Sequence, residues 1–238
     1  MRKIWMMFAQ MIKQIGRDYM LLMLCIAPVL AGLVFRFGVP VLEHFLCDYF
    51  SANEILAPYY YIFDWLLAVL PGLLFAFVGG LVALGEIDDK IAGYMEVTPA
   101  GNTGYLISRI GIPSLFSMVA GVAVIAVFGL SSMKWTDILV LCAGSSLTGT
   151  ITALLVIAIS TNKVEGMAIG KLAGFLSIGM FVPVVFASPI QYVAGVLPTF
   201  WMGKYMLEGH AGNLLAFAAV YLIWLVFLMK KYRKKICL

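Results

Sequence analysis

Six apolar runs divide the chain, near 19–39, 62–84, 110–130, 138–160, 168–187 and 211–229, with short polar stretches between them. Each approaches the roughly 20 residues that a helix needs to cross a bilayer core. The runs are continuously apolar, without the alternation of barrel strands. An isolated strand could not satisfy its backbone in lipid either. The pattern therefore predicts an all-α, polytopic membrane protein with six transmembrane helices. Residues 1–18 keep a different rhythm. Ile4, Trp5, Met7, Phe8, Met11, Ile12 and Ile15 recur at helical spacing, and Arg2, Lys3, Gln10, Lys13, Gln14 and Arg17 fill the rest. This predicts an N-terminal helix lying in the inner membrane interface, with its apolar face in lipid. Residues 19–238 then form one six-span domain, with a cytoplasmic loop at 85–109 and an outer loop at 188–210.

Both of those loops are patterned. In the first, Glu86, Asp88, Asp89 and Lys90 follow the second run, and Ile87, Ile91, Tyr94 and Met95 fall on one helical face. Thr98-Pro99 ends that pattern, because proline cannot continue a helix and restrains the residue before it. A short amphipathic helix of this kind can dock in a partner's groove. From the pattern alone, a solvated loop that only satisfies topology is an equal reading. The second loop, Ser188 to Met206, is too apolar for free solvent yet is interrupted at Pro189, Gly195 and Pro198. Two short helices dipping into the outer leaflet fit it, since irregular backbone at that depth must be covered by protein or water.

Composition makes lipid the solvent: 63% of the 238 residues are hydrophobic, 12% are charged, and the mean hydropathy is +1.02. Charge then sets orientation. Of the 16 basic residues, all but Arg36, Lys134 and Lys204 fall on one side, which predicts cytoplasmic termini in a multi-pass cell-membrane protein. The net charge of +4 is therefore topological and points to no nucleic acid. The N-terminus lacks a clean cleavage site and reads as no cleaved signal. Cys25 and Cys142 sit in apolar runs, Cys47 in an outer loop and Cys237 at the tail, so no disulfide framework is expected. Arg36 and Asp64 lie near outer ends, where a mutual pair or snorkelling to headgroups is cheap. No run carries a charge at its centre, which argues against a proton-coupled carrier. In the outer stretch 40–61, Glu43, His44, Asp48 and Glu54 accompany Tyr59-Tyr60-Tyr61, read as headgroup-belt anchors. Gly79-Gly80, Gly166, Gly170 and Gly174 read as helix-packing positions. Catalysis is not expected. The only histidines, His44 and His210, lie on the outer side, away from Ser145 and Ser146. No metal spacing occurs.

The order of these features resembles the permease subunits of type-2 ABC exporters over nearly the whole chain. Glu86, Gly93-Tyr94, Glu96 and Thr98-Pro99 are similar to that family's acidic residue, short helix and Thr/Ser-Pro turn after span two, although Tyr94 stands where a small polar residue is usual. Leu197-Pro198 resembles the proline step of the family's outer helices. Asn162 to Gly170 resembles its inner turn into span five. The resemblance implies a coupling helix formed from Glu86, Asp88, Asp89, Gly93, Tyr94, Glu96, Thr98 and Pro99. It implies a candidate second contact at Lys163 and Glu165, near Lys171, although a plain interfacial charge cluster is an equal reading there. It also implies a re-entrant outer pair at Pro189, Leu197 and Pro198. With no phosphate-binding loop of its own, the chain would need a separate ABC ATPase holding ATP and Mg, and a second permease, identical or paralogous. Cargo would be hydrophobic or amphipathic: a drug, a lipid or a lipophilic peptide such as a bacteriocin. The resemblance alone supplies the outward direction. The rival expectation is a membrane scaffold or immunity protein that transports nothing.

Overall fold

The computed structural model describes residues 2–89, 101–186 and 188–236, all helix, turn or connection with no strand among them. Helix α1 is Arg2–Ile15. Helix α2, Tyr19–Leu33, starts at Asp18, whose carboxylate accepts the Met20 and Leu21 backbone N–H groups at 3.0 and 3.4 Å. A π-turn, Val34–Gly38, leads into α3, Val39–Phe50. A 3-10 turn, Ala57–Tyr59, opens α4, Tyr60–Asp88. Then come α5, Gly101–Leu106, a second π-turn, Ile107–Gly111, and α6, Ile112–Phe128. Helix α7 is Trp135–Ile159. Three shorter helices follow: α8, Lys163–Ala173, α9, Phe175–Ile178, and α10, Val182–Val185. The chain closes with a 3-10 helix, Pro189–Val196, with α11, Pro198–Glu208, and with α12, Ala211–Ile236.

Five stretches among the described residues are long and apolar enough to cross a membrane: Tyr19–Phe50, Ala57–Asp88, Thr103–Phe128, Trp135–Ile159 and Ala211–Lys235. The run at 168–187 is not one of them. Gly174 and Gly179 interrupt it, leaving α8, α9 and α10 in place of a single helix. The first run corrects in the opposite sense. The helix does not stop at residue 39 but continues through the π-turn to Phe50, taking in much of the expected outer loop. Glu43 then holds the returning chain, accepting the backbone N–H groups of Ile55 at 2.9 Å and Leu56 at 2.6 Å. Both π-turns end in the same step, Gly38-Val39-Pro40 and Gly111-Ile112-Pro113. The wider turn accommodates a proline that has no N–H to give the helix.

Helices α4 and α7 form the centre. Their apolar windows are 67% and 72% buried, against 17% for Tyr19–Phe50 and for Ala211–Lys235. Small residues allow the approach. A Cβ on Gly149 would run into the Gly72 carbonyl, and one on Gly80 would press on Ala153. Hydroxyls tie α7 to both neighbours: Ser145 donates to the Ala68 carbonyl of α4 at 3.1 Å, and Ser146 to the Ser114 carbonyl of α6 at 2.5 Å. Both serine hydroxyls are thus engaged by backbone carbonyls of neighbouring helices. Against this centre pack Met7, Phe8, Met11 and Ile15 of α1. The α1 stripe expected to face lipid is therefore largely spent on protein, and Trp5, Met6 and Ile12 remain exposed.

Candidate functional site

Glu86 is the last buried residue of α4, at the end from which the patterned loop departs. Only 4% of Glu86 is exposed, and Arg109, inside the second π-turn, is wholly buried. The two meet side-on. Arg109 Nε donates to Glu86 Oε2 at 2.8 Å and Nη2 to Oε1 at 2.5 Å. The third guanidinium nitrogen, Nη1, donates to the Met7 carbonyl of α1 at 2.5 Å. Tyr105 adds its hydroxyl to Glu86 Oε2 at 3.0 Å, and Gln14 of α1 reaches Oε1 at 3.4 Å. Planar bidentate pairing of this kind is what makes arginine suited to a buried carboxylate. Gly79 makes the π-turn possible: a Cβ there would collide with the Arg109 carbonyl.

The network ties three segments together: α1, the end of α4, and the return of the chain at Tyr105 and Arg109. Glu86 is thus committed inside the protein and presents no free carboxylate for a partner. Asp88 and Asp89, one turn further on, are exposed. Gly93, Tyr94, Glu96, Thr98 and Pro99 lie outside the described residues. Tyr105 and Arg109 belong to the site, although their sequence position marks them only as loop and inner positive charge. The available hint is an arginine at the boundary of an apolar run with no acid beside it.

The turn between α7 and α8 is arranged by its own caps. Asn162 accepts the Glu165 N–H at 2.9 Å, and the Glu165 carboxylate accepts the Thr161 N–H at 2.6 Å. Lys163 pairs with Asp18 at 2.6 Å, joining α8 to the start of α2. Both residues are engaged within the chain, while Lys171, one helix length on, is exposed with no ion-pair partner among the described residues.

At the opposite end, Pro189 opens the 3-10 helix, Leu197 is the extended residue before α11, and Pro198 is in the first turn of α11. Two short helices thus occupy the stretch 188–210. Trp201 donates to the Gly195 carbonyl at 2.8 Å and Trp224 of α12 to the Val196 carbonyl at 2.9 Å. The break in the fifth run frees the Leu176 carbonyl, and the Thr199 hydroxyl takes it up. Gly209, with φ +70°, closes α11 in the left-handed conformation that glycine tolerates.

Arg36 and Asp64 do not pair. Each grips the turn between α6 and α7. Arg36 donates to the Gly129 carbonyl at 2.9 Å, and Asp64 accepts the Leu130 and Ser131 N–H groups at 2.8 and 2.7 Å.

One cavity of about 540 Å3 opens between α2, α4, α7 and α8, toward the end of the bundle that carries α1. Its walls include Met20, Leu24, Leu74, Phe77 and Met167, with Thr152, Ser177 and Lys171 as the polar groups.

Over residues 11–230 the chain matches the family described as fluoroquinolones export permease protein Rv2686c-like. Among curated proteins it is similar to the fluoroquinolones export permease protein Rv2686c of Mycobacterium tuberculosis strain H37Rv. Identity is 28%, with 92% of this chain and 89% of that protein covered. The same figures hold for the fluoroquinolones export permease protein MT2760 of strain CDC 1551 / Oshkosh.

Proposed function

The chain belongs to the Rv2686c-like family of export permeases, and from that premise we propose that it is the membrane subunit of an ATP-driven type-2 ABC exporter for an amphipathic aromatic drug. A separate ATPase supplies the energy, and a second permease completes the pathway. On this reading the termini are cytoplasmic, and α8, α9 and α10 make a fifth, discontinuous crossing. The outer pair, the 3-10 helix and α11, dips into the outer leaflet, and Trp5, Met6 and Ile12 of α1 rest in the inner interface.

The observation that carries the coupling role is the clasp of Glu86 and Arg109 at the neck of the loop. A displacement of α4 at Glu86 is passed through this clasp to α1 and to the returning chain at Arg109. Asp88 and Asp89 face outward from that base, free to meet basic groups on the ATPase. Glu86 acts in this scheme as a positioning residue, and the docking acids are Asp88 and Asp89. Apolar walls of drug-binding dimensions, about 300–1,000 Å3 in general, make the cavity beside α8 the cargo site.

The test is co-purification of the chain with its co-expressed ATPase, comparing wild type with Asp88→Lys plus Asp89→Lys. Glu86 is left alone because its loss would strand Arg109. We expect the complex in wild type and its loss in the variant. A complex indifferent to the reversal moves the contact to the turn between α7 and α8. No ATPase bound by wild type overturns the permease reading in favour of a scaffold.

A further inference from the structure

The cavity beside α8 is apolar on nearly all sides but carries one cation. Lys171 lines it, one turn from Gly174, and the Phe77 ring lies so close to Gly170 that a Cβ there would overlap it. The other basic group of α8, Lys163, is spent on Asp18 at 2.6 Å. Among the described residues the Lys171 ammonium has no carboxylate partner, no hydrogen bond and no aromatic ring beneath it. An unpaired ammonium at the edge of an apolar, aromatic-walled cavity complements one ligand chemistry: a flat ring system bearing an anionic group at its rim. Two hydroxyls lie in the same wall, but both are turned to the backbone. Thr152 donates to the Thr148 carbonyl at 3.3 Å and Ser177 to the Gly174 carbonyl at 2.6 Å. The charge on Lys171 is thus the polar feature left to select cargo.

We propose that Lys171 is a specificity-determining residue that binds the carboxylate of an aromatic acid drug while the ring system lies against Phe77, Leu74 and Met167. This rests on the drug-export reading above and adds to it a charge rule: acids of this shape are preferred over their neutral-ended esters. A fluoroquinolone, the cargo named for the relatives, is a fused aromatic system with a ring carboxylate, and so provides both probe and control.

The experiment measures binding of norfloxacin and of its ethyl ester, by quinolone fluorescence, to the full chain in phosphatidylcholine nanodiscs. Wild type should bind the acid about tenfold more tightly than the ester, the ordinary size of one charge-assisted contact. Lys171→Gln should abolish that preference by weakening the acid alone, and Lys171→Arg should keep it. Loss of both compounds in Lys171→Gln, with Lys171→Arg behaving alike, reduces the residue to a structural role and overturns the assignment. So does a preference that survives Lys171→Gln. A third outcome gives Lys171 to lipid phosphate instead: wild type and Lys171→Gln bind the drugs alike but differ in the phosphatidylglycerol they retain from mixed nanodiscs. A wild type that binds neither compound fails differently, removing the drug-cargo reading and this assignment with it.

Discussion

Helix α4 carries a buried acid at each end, and the two are satisfied in different currencies. Asp64, 1% exposed and at the outer end in the orientation proposed above, is held by the backbone N–H groups of Leu130 and Ser131 and by the Ser131 hydroxyl. Glu86, 4% exposed, faces the inner loop and is held by the full charge of Arg109, with Tyr105 and Gln14 around it. The outer arrangement caps one turn and adds no second buried charge. The inner one buries two charges, which costs more desolvation than an apolar pair of the same size. A buried ion pair is therefore poor evidence of stability for its own sake. What it adds here is direction: Arg109 fixes α1, α4 and the returning chain in one mutual geometry through three separate donors. The end of the molecule to which we assign the coupling role carries the more demanding joint.

Breaking the inner joint on one side gives the largest effect. Arg109→Met leaves Glu86 buried without a counter-charge and should cost about 3–5 kcal/mol. It would appear as a steep fall in the denaturation midpoint of the purified protein. The double variant Glu86→Leu plus Arg109→Met removes both charges and should recover most of that loss. If the double variant is as unstable as the single, the pair is not the joint described. Recovery of stability without recovery of ATP-driven transport would separate the role of the pair in geometry from its role in folding.

The outer joint should give a smaller loss. Asp64→Ala leaves two turn N–H groups without their acceptor, each in the range of about 1–3 kcal/mol when buried and lower when water can enter. Asp64→Asn keeps one acceptor and should fall between. Neither substitution should alter co-purification with the ATPase, because the turn at 129–131 lies at the far end of α4. An Asp64 variant that folds but loses the ATPase would erase the contrast between the two ends.

Run length and charge make the helical, membrane-embedded class legible without coordinates, and the 3.6-residue rhythm of residues 1–18 gives α1. Hydropathy is blind to what happens inside a run. The stretch 168–187 is as apolar as its neighbours, yet Gly174 and Gly179 break it, and its freed Leu176 carbonyl finds Thr199 more than twenty residues away. The same blindness extends the first helix to Phe50, since a π-turn leaves no periodic mark. Glu86 reads as a surface acid because its neighbours Asp88 and Asp89 are polar, and Arg109 is 23 residues further on. Local pattern locates the site, but only tertiary pairing tells which of its acids face inward.

The smallest effect belongs to a third joint, Asp18 with Lys163, which is exposed where the other two are buried. The pair is 2.6 Å long, with side chains 31% and 40% exposed. Its lysine hydrogen bond, aided by the Leu21 and Met20 N–H groups, holds the Asp18 carboxyl below its ordinary value of 3.8 despite partial desolvation. A carboxyl depressed in the folded state stabilises fully above its unfolded value and loses that contribution as pH falls through the folded one. The benefit is therefore present at pH 7 and fades only below about pH 4. Asp18→Asn isolates the charge, because asparagine can still cap α2 by accepting the Met20 N–H. At pH 7 it should cost under about 1 kcal/mol, less at high salt. Stability curves of wild type and Asp18→Asn should draw together as the pH falls through and below the ordinary carboxyl value. Curves that stay parallel there would assign the contribution of Asp18 to its cap, leaving the buried inner joint as the only one of the three that rests on an ion pair.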